Sequence, residues 1–264
     1  MNRLRSIFLF LIASVLSLNL SFGQDLNEHE ELVTDRPDLT ESSRAVPVKT
    51  LQVETGVSYT SDIKSGIEES VFGYGETLIR YGLLQGMELR LAFDYSVIST
   101  AYPYNNILLT ERGISPLAFG TKVNLSRQQG WIPEMALLVH IHVPLFKSDF
   151  QTDYAIPEII LAASHRVSAN ISIGYNIGID WSGNNAFPGK FYSLVGGFGL
   201  SERVGIYIES SGRFGENEFQ NIIDGGITFL ILPRVQYDLS AGIGVTSSSP
   251  DFFIGTGISF RLPQ

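Results

Sequence analysis

Beyond its first twenty-odd positions, this chain alternates between apolar and polar residues with few interruptions. In Ile171–Trp181, Ile171, Ile173, Tyr175, Ile177, Ile179 and Trp181 interleave with Ser172, Gly174, Asn176, Gly178 and Asp180. A two-residue period puts each set on its own face of a β-strand. A tilted strand needs about 9 to 11 residues to cross a bilayer, and this run has that reach. The pattern recurs at Leu51–Thr60, Gly75–Tyr81, Met87–Ser96, Leu117–Leu125, Glu134–Val143, Ile156–Ser164, Phe191–Leu200, Val204–Ser211, Ile222–Ile231, Val235–Ile243 and Phe252–Phe260. An unbroken series of this kind predicts an all-β chain: one antiparallel transmembrane β-barrel of about 12 strands over 51–264.

The intervals between runs alternate in length. Ser61–Gly73, Val97–Ile114, Pro144–Ala155, Ser182–Lys190 and Arg213–Asn221 read as long polar loops. Gly82–Gly86, Ser126–Ile132, His165–Ser168, Ser201–Arg203 and Pro233–Arg234 read as short turns. Outer-membrane barrels have short periplasmic turns and longer external loops, and an even strand count leaves both termini on the short-turn side. Tyr59, Tyr95 and Trp181 close one set of strands and Tyr81 and Phe260 the other, as two interfacial girdles would require.

The start of the chain adds an address. Arg3 and Arg5 precede the apolar run Ile7–Leu18, and Ser21 and Gly23 follow it, so residues 1–23 read as a secretory signal peptide rather than an uncleaved anchor. With no Cys, a lipid-anchored lipoprotein is excluded. No later apolar stretch approaches the roughly 20 residues of a spanning helix, so an exported, membrane-embedded chain would have to be a closed barrel. Its expected partners are outer-membrane lipid, a small-molecule solute and the barrel assembly machinery. A net charge of −9 with dispersed bases argues against nucleic acid.

Parity assigns to the inner face Glu54, Glu76, Arg80, Glu88, Arg90, Asp94, Lys122, Glu134, His140, His142, Glu158, Asp180, Glu209, Asp224, Arg234 and Asp238. Carboxylates outnumber bases there, which disfavours anions. A soluble periplasmic carrier would turn this pattern inside out. His140, His142 and Glu158 could approach a metal, but lumen-facing His more commonly hydrogen-bonds within a polar wall, and no metal or other cofactor is assigned. No G-x-S-x-G elbow accompanies the two His, so the chain is read as a non-enzyme, with an outer-membrane lipid hydrolase as a lesser alternative. What remains is a passive channel or transporter, or a non-transporting structural or binding barrel.

Between the leader and the first strand lies a charged segment, 24–50, containing TDRPDLTESSRAVP. Thr34, Asp35, Arg36, Pro37, Asp38, Thr40, Glu41 and Ser42, followed by Gln52, Glu54 and Gly56, resemble the outer-membrane transporter family named for the MetA pathway of phenol degradation. The resemblance implies a β-barrel in the outer membrane of a Gram-negative bacterium that passes small, aromatic or hydrophobic molecules. By its own chemistry the segment is either a solvated periplasmic lead-in, the reading favoured here, or a plug whose Arg36 engages inner carboxylates such as Glu54.

Overall fold

The alternation is satisfied by closing the sheet on itself. In this computed structural model, which describes residues 31–150, 152, 154–181, 188–215 and 218–262, the strands are β1 (Leu51–Lys64), β2 (Ile67–Leu84), β3 (Met87–Tyr102), β4 (Ile107–Ile114), β5 (Leu117–Ser126), β6 (Glu134–Val143) and β7 (Ile156–Arg166). They continue with β8 (Ile171–Asp180), β9 (Gly189–Gly199), β10 (Val204–Phe214), β11 (Phe219–Leu232), β12 (Val235–Gly244) and β13 (Phe252–Arg261). The signal peptide expected at 1–23 lies outside the described residues.

All pairings between the strands are antiparallel, and β1 pairs with β13 from Gln52↔Arg261 to Ser61↔Phe252, which closes the wall. Thirteen segments make a 12-strand barrel because β4 and β5 share one position in the wall. The lower part of β3, Met87–Ala92, pairs with β5, and the upper part, Tyr95–Tyr102, pairs with β4. The break falls at Ser115 and Pro116, since Pro has no N–H for the ladder.

Two expected loops are strand instead. Ser61–Gly73 continues β1 and β2 into a tall hairpin, and Val97–Ile114 continues β3 and β4 in the same way. Above the apolar zone both faces of a ribbon meet water, so ladder hydrogen bonding persists where alternation is lost. The first hairpin turns at Ser65 and Gly66, both at positive φ (53° and 78°), the backbone a two-residue hairpin turn requires. The long-side asymmetry is therefore carried partly by strand height.

Neighbouring residues show the facing: Ile208 is 58% exposed and Glu209 1%, while Leu239 is 39% exposed and Asp238 0%. The greasy side is outward and the charged side inward, the reverse of a soluble carrier. An apolar outer surface of this extent calls for lipid. Tyr59, Phe72, Tyr74 and Tyr95 form a continuous outer aromatic row, with successive ring centroids 4.7, 5.6 and 6.4 Å apart. Arg234 departs from its expected place: it sits exposed in the turn between β11 and β12, because the pairing slips between Leu230 and Leu232 and the strand parity ends there.

Candidate functional site

The lumen is not empty of chain. Residues 31–50 run across it, bonded to side chains in the halves of the strands that adjoin the short turns. Gly82 is where this segment meets the wall as it leads into β1: a Cβ there would lie 1.9 Å from the Pro47 carbonyl oxygen, so only Gly admits the approach.

On the wall formed by β2, β3 and β5, Arg80, Arg90 and Lys122 point inward and are buried. Asp35 inserts among them, its carboxylate 3.2 Å from Arg80 Nη1, 2.7 Å from Arg90 Nη1 and 2.9 Å from Lys122 Nζ. Glu88 accepts from Arg80 Nε at 2.9 Å and Arg90 Nη1 at 2.8 Å, and Glu54 from Arg80 Nη1 at 3.0 Å. Both carboxylate oxygens of Glu41 accept from Arg90 Nη2 at 2.8 Å. Three cations thus meet four carboxylates, two from the wall and two from the segment. Burial alone would raise Asp35, but the surrounding Arg80, Lys122 and Arg90 hold it well below the usual carboxylate range. Burial lifts Glu41 to about 7 despite Arg90.

The rest of the segment is held by single bonds around the circumference. Glu54 Oε2 accepts the backbone N–H of Asp35 at 2.9 Å and of Arg36 at 3.1 Å, and Glu88 Oε2 that of Val46 at 2.7 Å. Asn176 brackets Glu41, accepting its N–H at 2.7 Å and donating to its carbonyl at 3.0 Å. Ser43 and Ser164 hydroxyls lie 2.7 Å apart, and Arg44 Nε donates to Glu134 at 2.9 Å.

Arg36 differs from expectation in its partners. Its side chain does not engage Glu54; it reaches Asp238 and Glu76, each at 3.5 Å. The slot it occupies is made by Gly56 and Gly257, paired across β1 and β13, where a Cβ would fall 2.3 Å and 2.5 Å from guanidinium nitrogens. On β10 and β11 the wall is acidic. Glu209 accepts the Leu39 N–H at 2.7 Å and the Thr40 hydroxyl, and burial together with Glu209 pushes the nearby Asp38 carboxyl well above its usual range.

His140, His142 and Glu158 form a separate group on β6 and β7, with His140 Nδ1 2.7 Å from Glu158 and His142 Nε2 at 3.8 Å. Among the described residues no His, Asp or Glu group is arranged to hold a metal. Of the candidate residues, Asp35, Glu41, Glu54 and Arg90 share one network; Arg36 and Asp38 lie along the same segment. Arg80 and Lys122, which join that network, were legible only as inner-face residues, and Asn176 carried no charge to mark it.

One stretch of lumen is apolar. Ala136, Leu138, Ile160 and Ala162 lie at inward positions of β6 and β7, buried, with Phe191 of β9 packed against them. The Phe191 ring lies over Gly178, where a Cβ would fall 2.2 Å from it. Arg213, 5.3 Å from the ring centroid, stands over Phe191 and pairs with Asp180 at 2.8 Å.

The sequence matches the profile of the family described as "Putative MetA-pathway of phenol degradation" over residues 34–262. No curated protein matches it in sequence. Among solved structures, an outer membrane channel from Pseudomonas putida F1 superposes with a TM-score of 0.65 at 10% identity, covering 83% of this chain and 98% of that one. The transport unit of the autotransporter AIDA-I from Escherichia coli gives 0.54 at 9% identity over 96% and 97% of the two chains. The KdgM porin in complex with disordered oligogalacturonate gives 0.51 at 7% identity over 81% and 99%. At these identities the likeness is one of fold, and the shared fold is that of outer-membrane barrels.

Proposed function

The chain belongs to the family of the MetA pathway of phenol degradation, and from that premise we propose that it is a passive outer-membrane channel for small aromatic or hydrophobic molecules, narrowed on the periplasmic side by residues 31–50. The observation that carries the solute class is the apolar strip of Ala136, Leu138, Ile160, Ala162 and Phe191 within a lumen lined mainly by polar and charged side chains. Phe191, the partly buried member of the strip, is the face a solute can meet, and an aromatic ring gains free energy on leaving water for it whereas a sugar does not. The family's name and the channel fold of the Pseudomonas relative support the same reading. Transport accounts for these features without catalysis.

The domain plan that goes with this reading is a signal peptide at 1–23, removed on export, a plug within 24–50 and the barrel at 51–264. The lodging of Asp35 among Arg80, Arg90 and Lys122 favours the plug over the solvated lead-in. The direct test is solute entry into proteoliposomes, comparing phenol with a sugar of similar size, for the intact protein and for a variant lacking residues 24–44. Phenol should enter faster through both, most of all through the shortened protein, and Leu138→Lys should reduce its entry. Equal entry of the two solutes, unaffected by Leu138→Lys, would overturn the assignment.

A further inference from the structure

The register of the sheet sets six inward positions in one row across the wall: Lys122, Leu138, Ile160, Gly178, Phe191 and Arg213, each the direct partner of the next. Strands in a barrel tilt, so a row of register partners climbs the wall as it crosses it. The low end of the row is Lys122, bonded to Asp35 of the segment at 2.9 Å. The high end is Arg213, the last but one residue of β10, on the long-loop side. Leu138 and Ile160 are buried and Gly178 has no side chain, so Phe191, half-buried, is the apolar member that a solute arriving from outside meets. Gln220, the partner of Arg213 on β11, lines a cavity of about 360 Å³ at the same rim.

Arg213 stands over Phe191, 5.3 Å from the ring centroid, and its side chain is 47% exposed. Only Nη1 is engaged: both oxygens of Asp180 accept from it at 2.8 Å, and Nε and Nη2 donate to no described residue. A ring resting against Phe191 beside Arg213 brings a substituent oxygen to those donors, which lie at the edge of the guanidinium plane. The charge of that oxygen is constrained as well. Asp180 already neutralises the guanidinium, and a carboxylated solute would set a second negative charge beside it. A bare hydrocarbon gains the ring contact alone. We propose that Arg213, braced by Asp180, is a specificity-determining residue of the lumen that selects monocyclic aromatic solutes carrying one uncharged oxygen acceptor, with Phe191 as the face for the ring. This rests on the aromatic-solute reading above and narrows it.

The test is saturation-transfer NMR of the full-length protein in lipid nanodiscs, with empty nanodiscs as the blank and benzyl alcohol, toluene and benzoate as probes. Benzyl alcohol should bind roughly tenfold more tightly than toluene or benzoate, the weight of one hydrogen bond to a charged donor. Arg213→Met, which keeps an apolar stem and removes the donors, should bring benzyl alcohol down to the level of toluene and leave toluene unchanged. Phe191→Ala should weaken both alike. Phenol entry into proteoliposomes is read separately, so failure here and failure of the channel reading are distinguishable. Equal binding of the three probes, no binding above the blank, a preference for benzyl alcohol that survives Arg213→Met, or an equal loss of benzyl alcohol and toluene in that variant would each overturn the role of Arg213.

Discussion

Two walls of one lumen handle buried carboxylates in opposite ways. On β2, β3 and β5, the carboxylates of Glu54 and Glu88 are interleaved with Arg80, Arg90 and Lys122, and the segment contributes Asp35 and Glu41 to complete the pattern. On β10 and β11, Glu209 and Asp224 stand together, and the segment offers Glu209 a backbone N–H and a hydroxyl, with a further acid in Asp38. The first wall is therefore where residues 31–50 are fastened, because removing either side strips counter-charge from the other. The second tolerates the segment without gripping it by charge.

The sharpest way to break this comparison is to remove the shared acid of the first wall. Asp35→Ala leaves Arg80, Arg90 and Lys122 short of a counter-charge, and breaking a buried pair typically costs about 3 to 5 kcal/mol. Protease accessibility of the segment and chemical unfolding should both register the loss. Asp224→Asn, which relieves repulsion between Glu209 and Asp224 on the second wall, should lose little stability. A similar loss in both variants would mean that the two walls do not differ.

The outer surface should be indifferent to which wall lies beneath it. Ile208→Arg, one residue from Glu209 but facing lipid, should cost roughly 2 to 4 kcal/mol, as should Ile177→Arg on β8. Folding yield into lipid vesicles reports both. A harmless Ile208→Arg would mean that the facing of β10 is reversed.

Arg36 lies between the walls with longer ion pairs but leaves the buried Asp238 uncompensated when removed, so Arg36→Ala should cost about 2 kcal/mol. It should increase conductance to small cations by freeing Asp238 and Glu76. Single-channel recording checks this, and conductance equal to that of the unaltered protein would remove Arg36 from any gating role.

The smallest effect concerns pH. Glu41, lifted to about 7 in the folded protein, keeps a proton that the unfolded chain releases near an ordinary carboxylate value. Its contribution to holding the segment is then complete at acid pH and declines as pH rises through about 7. Asp35 works in the other direction: held below its usual range, it loses its contribution only as strong acid protonates it. Segment protection against protease should therefore decline modestly from pH 6 to pH 8, and Glu41→Gln should flatten the change.

The alternation at Ile171–Trp181 and its copies was enough to read a closed barrel with charge inside, because a two-residue period leaves each side chain one choice of face. The same parity placed Leu138 and Ala136 on the inner face beside His140, although only the structure joins them to Ile160 and Ala162 as one strip. Local pattern fails where a ribbon leaves the membrane, which is why Ser61–Gly73 read as loop and is hairpin. It fails also for contacts that depend on closure. Arg36 reaches Asp238 only because β1 meets β13 and brings Gly56 beside Gly257, and nothing near Arg36 in the sequence records that pairing. For the same reason Lys122 was assignable to the lumen but not to Asp35.

Residues 31–50 lie inside the barrel rather than beneath it, and the absence of native Cys allows a direct measurement of that placement. Ser43 of the segment and Ser164 of β7 have their hydroxyl oxygens 2.7 Å apart. The double variant Ser43→Cys/Ser164→Cys, oxidised in intact outer membranes, should form an intramolecular disulfide in most molecules, lock conductance low, and recover under reductant. A segment that leaves the two thiols free under oxidation, with conductance unaltered, would contradict the account.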